Sequence, residues 1–213
     1  MKYVVGADEV GLGPLAGDLY VCAVMVPEDG RTIEGVTDSK ALTSKRREEL
    51  RGALLAHPNL HYEIARATPK EIDDQGIRPC HERCFVQAIS RVLTHLKDSD
   101  SVDTIKIDGC PMPLVDLRVP HEFIVKGDAK IWEIGAASII TKVERDAYMA
   151  EMDLEYPGYG WARNAGYGTT EHREMLIERG LTSIHRKSYC RKVLKKEEPE
   201  GIDVFDLFPP DEP

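Results

Sequence analysis

Residues 3–26 read Tyr3-Val4-Val5-Gly6-Ala7-Asp8-Glu9-Val10-Gly11-Leu12-Gly13-Pro14-Leu15-Ala16-Gly17-Asp18-Leu19-Tyr20-Val21-Cys22-Ala23-Val24-Met25-Val26. Two β-branched apolar runs, Tyr3–Gly6 and Leu19–Val26, flank a connection that holds Gly11, Gly13, Pro14 and Gly17. This pattern predicts two strands joined by a glycine-rich loop. Beyond it, Thr43 or Ser44 is placed to cap a helix running to about Ala56, with Lys and Arg along one face. His61–Ala67 alternates as a strand does, and Cys84–Leu96 carries Phe85, Ala88, Ile89, Val92 and Leu96 near a helical period. Short strands follow at Val102–Ile107 and Glu122–Val125, then a long helix from Trp132 to Met152 and another at Thr170–Arg179, stopped by Gly180. Strands first, with helices inserted between later ones, predict an α/β fold: a mixed sheet flanked by helices, with a C-terminal helical region.

The 213 residues favour one domain, residues 1–196, followed by an acidic, flexible tail over residues 197–213. Hydrophobic residues at 42% and charged residues at 31% describe a soluble chain that can bury a core without covalent staples. No run reaches the roughly 18 apolar residues of a membrane span, and the N-terminus lacks a signal-peptide pattern. A cytoplasmic protein is expected. Five scattered cysteines, Cys22, Cys80, Cys84, Cys110 and Cys190, do not make a disulfide framework. Cys80-His81 with Cys84 lacks the second pair of a metal site and reads as packing.

The net charge of −9 misleads about partners. Residues 197–213 hold seven acids and no Lys or Arg, so residues 1–196 carry only −2. Arg186, Lys187, Arg191, Lys192, Lys195 and Lys196 form one basic cluster, and Lys40, Lys45, Arg46, Arg47 and Arg51 another. Local positive surface of this kind admits a nucleic-acid backbone as partner, with an ordinary solvated helix face as the plainer alternative.

Four carboxylates lie at or just past the ends of predicted strands: Asp8 and Glu9, Asp108 after Ile105-Lys106-Ile107, and Asp128 after Val125-Lys126-Gly127. In an α/β sheet such ends gather in one crevice. Neighbouring residues of a strand face opposite ways, so Asp8 and Glu9 converge only if the backbone leaves the strand there. Clustered carboxylates repel unless a cation compensates, and an all-oxygen set suits Mg²⁺ or Mn²⁺. Two such ions would serve phosphodiester hydrolysis.

These residues resemble type 2 ribonuclease H, the ribonuclease HII branch, along nearly all of residues 1–190. Gly6–Gly17 looks like the family's opening motif, Asp38-Ser39-Lys40 its second block and Ile107-Asp108-Gly109 its third. Lys126–Lys130, Ala136–Ile140 and Lys142–Asp146 resemble the fourth, and Gly166-Tyr167-Gly168-Thr169 and His185-Arg186-Lys187-Ser188 complete the series. The resemblance implies a ribonuclease H-like fold and hydrolysis of the RNA strand of RNA/DNA hybrids with two ions per site, leaving 5′-phosphate and 3′-hydroxyl ends. It implies Asp8, Glu9, Asp108 and Asp128 as the catalytic, metal-binding acids, with Asp146 as the rival for the fourth place. Gly11 and Gly13 can approach a ribose closely; Tyr167 resembles the tyrosine that stacks on the sugar at an RNA–DNA junction; Lys40 and Arg186 suit phosphates. Cys110 and Ser138 read as structural, as do His172 and His185, for which assistance in proton transfer is the alternative.

Three cations of the family pattern are missing: Leu12 stands in the usual Gly-Arg-Gly, Ala165 before Gly-Tyr-Gly, and Ala41 after Asp-Ser-Lys. The expectation is weaker, more salt-sensitive binding and a relaxed preference for single embedded ribonucleotides. The sister ribonuclease HIII branch usually carries an N-terminal domain, for which the seven residues before Asp8 leave no room. Rival readings are a hybrid-binding protein with little catalysis and a DNA nuclease or resolvase of the same fold. In the tail, Val204-Phe205-Asp206-Leu207-Phe208 looks like the peptides that bind sliding clamps, with Val204 where Gln is usual. The chain itself is expected to be a monomer.

Overall fold

The computed structural model describes residues 1–194; Lys195, Lys196, the acidic tail and its Val204–Phe208 stretch lie outside the described residues. In chain order the elements are β1 (Lys2–Val10), β2 (Leu19–Pro27), α1 (Ser44–Leu55), β3 (His61–Ala67), α2 (Pro69–Gln75), α3 (Ile77–Leu93), β4 (Ser101–Asp108), β5 (His121–Ile124), α4 (Trp132–Glu155), α5 (Trp161–Asn164), α6 (Thr170–Arg179) and α7 (Lys187–Leu194). No helix among the described residues is long and apolar enough to cross a membrane. Its contacts divide the chain into two compact units.

The first unit comprises Met1–Leu12, Leu19–Ala67 and Ile77–Arg145. Its sheet has the order β3-β2-β1-β4-β5. β1 pairs antiparallel with β2 and parallel with β4, while β3 joins β2 antiparallel and β5 joins β4 parallel. The mixed sheet is therefore centred on the opening strand. One face packs Cys22 and Val24 of β2 against Leu50 and Leu54 of α1 and Ala136, Ala137, Ile139 and Ile140 of α4. The other face carries α3, whose Cys80, Cys84, Phe85, Ala88, Ile89 and Val92 are buried. α3 starts seven residues before the predicted Cys84, because Pro79 falls in the first turn, where a missing N–H costs nothing.

α4 can lie on β1 only because residue 6 is glycine. A Cβ there would stand 2.4 Å from the Glu133 carbonyl carbon and 2.5 Å from the Ile134 nitrogen, both backbone atoms. Lys106 Nζ, 3.1 Å from the fully buried Glu133 carboxylate, ties the same helix to β4.

Among the described residues, the second unit comprises Gly13–Asp18, Thr68–Gly76 and residues 146–194. Thr68 and Glu71 cap α2 reciprocally, a capping box that the Thr-Pro-Lys-Glu sequence carries. Asp73 of α2 accepts the Lys187 and Ser188 amides at 2.8 and 3.0 Å and so caps α7. Two apolar clusters hold the unit together: Ala16, Met149, Tyr159, Trp161 and Ile184, and then Leu176, Cys190 and Leu194 with Leu15 beside them.

Candidate active site

β1 does not end before its carboxylates. The strand runs to Val10, pairing Asp8 with Cys22 and Glu9 with Val21 on β2, so the expected departure of the backbone at this point is not seen. Pleating therefore sends the two side chains to opposite faces. Asp8 points to the α4 face, where it accepts a hydrogen bond from Ser138. Glu9 points to the α3 face, with Oε2 3.6 Å from His81 Nε2. Both of those atoms are buried without a hydrogen-bond partner.

Asp108 belongs with Asp8. Gly6 pairs with Lys106 across parallel β1 and β4, so residues 8 and 108, two further along each strand, lie on the same face of adjacent strands. Asp128 is delivered by the turn after β5. Lys126 takes a left-handed backbone (φ 56°), and Gly127–Ala129 form a single 3-10 turn. The Gly127 amide donates to Asp108 Oδ1 at 2.6 Å, which locks the Asp128 turn to the end of β4. Asp128 Oδ1 in turn accepts from the Ala129 amide at 2.9 Å.

The charges of these acids, Glu9 included, act on one another. Burial, then the Glu9 and Asp108 charges, push the Asp8 carboxyl well above the ordinary carboxylate range, against the Ser138 hydrogen bond. Burial, Asp108 and Asp38 raise Asp128 as well. Lys40 answers them: burial works against its charge, but Asp38, Asp8, Asp128 and Asp108 together raise its pKa. Asp8 and Asp108 thus share one face, Asp128 is held to the end of β4, and the charges of all three act on Lys40. Among the described residues no three His, Cys, Asp or Glu side chains stand close enough to grip one ion as placed. The donor chemistry nonetheless fits a hard divalent cation, since buried, mutually repelling carboxylates are what such an ion would relieve.

The other expected residues belong to both units. Gly11 has φ +97° at the end of β1. In the second unit, Tyr167 is 46% exposed and its ring passes 3.9 Å from where a Gly13 Cβ would stand. Asp146, the rival acid, belongs to that unit, whereas Asp128 lies in the first unit with Asp8 and Asp108. Arg186 is fully buried: Nε and Nη2 donate to the Gly17 carbonyl at 3.0 and 2.7 Å, and the guanidinium lies over the Tyr189 ring at 5.3 Å. Its charge braces the Gly13–Asp18 loop and is not presented to solvent. His172 and His185 are buried to 0% and 2% exposure, so neither ring can exchange protons with a bound strand as placed.

Sequence reading passed over two supports. Ser138, taken as structural, bonds Asp8 and stands 2.9 Å from Ser39 Oγ, which positions the buried carboxylate. A polar residue inside the apolar run Ala136–Ile140 was the available signal. Asp38 accepts the Lys40 amide at 2.8 Å and adds its charge to the group.

Residues 5–192 match the sequence model of the ribonuclease HII family. The ribonuclease HII of Paracoccus denitrificans is 40% identical over 199 residues, covering 92% of this chain and 90% of that protein. The ribonuclease H2 of Pyrococcus horikoshii superposes with a TM-score of 0.74 at 28% identity, over 91% of this chain and 98% of the other. The ribonuclease HII of Archaeoglobus fulgidus, solved as a complex with PCNA, gives 0.71 at 26% identity, over 96% and 100%.

Proposed function

The chain belongs to the ribonuclease HII family, and from that premise we propose how its carboxylates serve the reaction. The enzyme is an endoribonuclease that hydrolyses the RNA strand of RNA/DNA hybrids. The observation that carries our reading of the site is the 2.6 Å bond from Gly127 N to Asp108. It draws the Asp128 turn to the end of β4, beside the strand that bears Asp8. Asp8, Asp108 and Asp128 would hold Mg²⁺ or Mn²⁺. Glu9 is the fourth acid of this reading; its Oε2 stands 3.6 Å from His81 Nε2, and its charge still acts on Asp8. Bound divalent cations would supply an activated water and neutralise the departing 3′ oxygen, which leaves 5′-phosphate and 3′-hydroxyl ends.

The chain's own part is positional. Ser138 fixes the Asp8 carboxylate, the Gly127 amide fixes Asp108, and Lys40 offsets the acids until cations and a phosphate arrive. Gly11, Gly13, Lys40 and Tyr167 are the proposed substrate contacts, the glycines through backbone approach to a ribose 2′-hydroxyl. For Arg186, burial supports a role in bracing the Gly13–Asp18 loop. The reading extends to a cytoplasmic monomer serving replication and repair, and to docking of Val204–Phe208 on a sliding clamp. Clamp capture that is unchanged by deleting residues 200–213 would remove that last element.

The test uses matched duplexes containing one, four or all ribonucleotides, incubated with Mg²⁺ or Mn²⁺. Metal-dependent cleavage of the RNA strand with 3′-hydroxyl products is expected. Cleavage of an all-DNA duplex, or hybrid binding without cleavage, would overturn it.

A further inference from the structure

Two buried histidines of the second unit form a chain of hydrogen bonds that ends on the backbone of Tyr167. The Thr182 amide donates to His185 Nδ1 at 2.9 Å, so that nitrogen is an acceptor and the His185 proton sits on Nε2. His185 Nε2 stands 3.1 Å from His172 Nε2, which also receives the Trp161 indole N–H at 3.1 Å. His172 Nε2 is therefore an acceptor, and its proton sits on Nδ1, 2.9 Å from the Tyr167 carbonyl. Geometry thus assigns one tautomer to each ring, and both rings are neutral. Neither histidine faces solvent, and no step of the proposed hydrolysis uses them.

The endpoint of this chain is an exposed aromatic ring on an immobilised loop. The Tyr167 carbonyl also accepts the Thr169 amide at 2.8 Å. Just before it, the Gly166 amide donates to Asn164 Oδ1 at 2.8 Å, and the Gly166 carbonyl accepts from Leu15 N at 2.9 Å. Gly166 has φ +79°, and a Cβ there would meet the Ala16 carbonyl oxygen at 2.3 Å. The loop's backbone is held on both sides of Tyr167, yet the residue is 46% exposed. An exposed tyrosine with a fully bonded backbone is a platform for stacking, because its orientation is settled before any ligand arrives.

We infer that His172, held by His185 and Trp161, is a positioning residue: it sets the backbone of Tyr167 so that the phenol ring is pre-oriented for the sugar or base of the hybrid. The inference rests on Tyr167 being a substrate contact. It assigns part of the affinity for the hybrid to two buried residues.

The test compares isosteres. In His172→Asn the side-chain amide nitrogen replaces Nδ1 and still reaches the Tyr167 carbonyl; in His172→Gln the nitrogen sits at the Nε2 position and does not. Expected for Gln, against Asn, is a rise of about threefold to tenfold in KM for an RNA/DNA hybrid with kcat little changed, together with faster hydrogen exchange at the Thr169 amide. Adding either change to Tyr167→Ala should raise KM no further, since the histidine acts through that ring. Equal KM for the Asn and Gln variants, or additive effects on the Tyr167→Ala background, overturns the inference. If Tyr167→Ala alone leaves KM unchanged, the substrate role of Tyr167 falls and this proposal with it. In that case the Thr169 exchange would still distinguish Gln from Asn, which tells the two failures apart. Should His172→Gln not fold, His185→Gln against His185→Ala poses the same question one bond further back, since only Gln keeps a donor towards His172.

Discussion

Acid should loosen this fold through its buried histidine pair. Burial and the neighbouring His172 push the His185 ring down from 6.5 to about 3. Burial lowers His172 too, although its bond to the Tyr167 carbonyl resists. In the unfolded chain each ring takes up a proton below its ordinary value; in the folded chain His185 does not until about pH 3. A depressed folded value means that this contribution to stability is complete above about pH 6.5 and drains away as the pH falls towards 3. At 1.4 kcal/mol per pH unit, His185 alone removes about 2 kcal/mol by pH 5. His172 adds to the loss in the same direction. With a urea dependence of about 1–3 kcal/mol per molar, the unfolding midpoint should drop by roughly 1 M between pH 7.5 and pH 5 from this source. Asp8 and Asp128, whose carboxyls are raised, act in the opposite sense. The informative quantity is therefore the difference between the parent protein and His185→Gln, which cannot take up the proton. Urea titrations followed by tryptophan fluorescence at both pH values supply it. The variant should start from a lower midpoint at pH 7.5 and lose less of it at pH 5. Identical losses for variant and parent would refute the reasoning.

Four further outcomes follow from single contacts. Gly6→Ala drives a Cβ into the backbone of α4 at 2.4–2.5 Å, and a loss at or above the upper end of the usual ~1–3 kcal/mol for overpacking is expected in a denaturant melt. Asp8→Asn relieves a buried, repelled carboxylate; the metal-free protein should gain about 1 kcal/mol, lose hybrid cleavage, and lose the rise in Tm that Mn²⁺ gives the parent, all readable by calorimetry and a cleavage assay. Lys126→Gly frees a residue held at φ 56° and should stabilise by about 0.5–1 kcal/mol in the same melts. Leu12→Arg restores a cation that the family pattern carries, worth ~1.5–3 kcal/mol if it bonds a phosphate; tighter hybrid binding and better junction cleavage are expected, and no change in either would count against the account of the missing arginine.

Much of this protein was legible in one dimension. Apolar runs placed β1 and β2, and the Thr43 cap and Gly180 stop placed α1 and α6, because element ends are set by local hydrogen bonding and backbone freedom. Blocks such as Gly6–Gly17 and Lys126–Lys130 pointed to the family because residue order alone carries them. What order alone could not carry was direction. Whether β1 continued past Ala7 depended on β2 offering Cys22 and Val21 as partners, and that pairing sends Glu9 to the α3 face, away from Asp8. The burial of Arg186, which reads as a surface cation in a basic cluster, was settled by the Gly17 carbonyl 169 residues away. The roles of Ser138 and of the His172–His185 pair likewise exist only once distant segments meet. Sequence determined which chemical groups are available and where chain geometry changes; tertiary structure decided which groups share a face and which are sealed from water. The physical reason is that periodicity and capping are interactions within a few residues, whereas side-chain direction and desolvation belong to contacts that no local stretch contains.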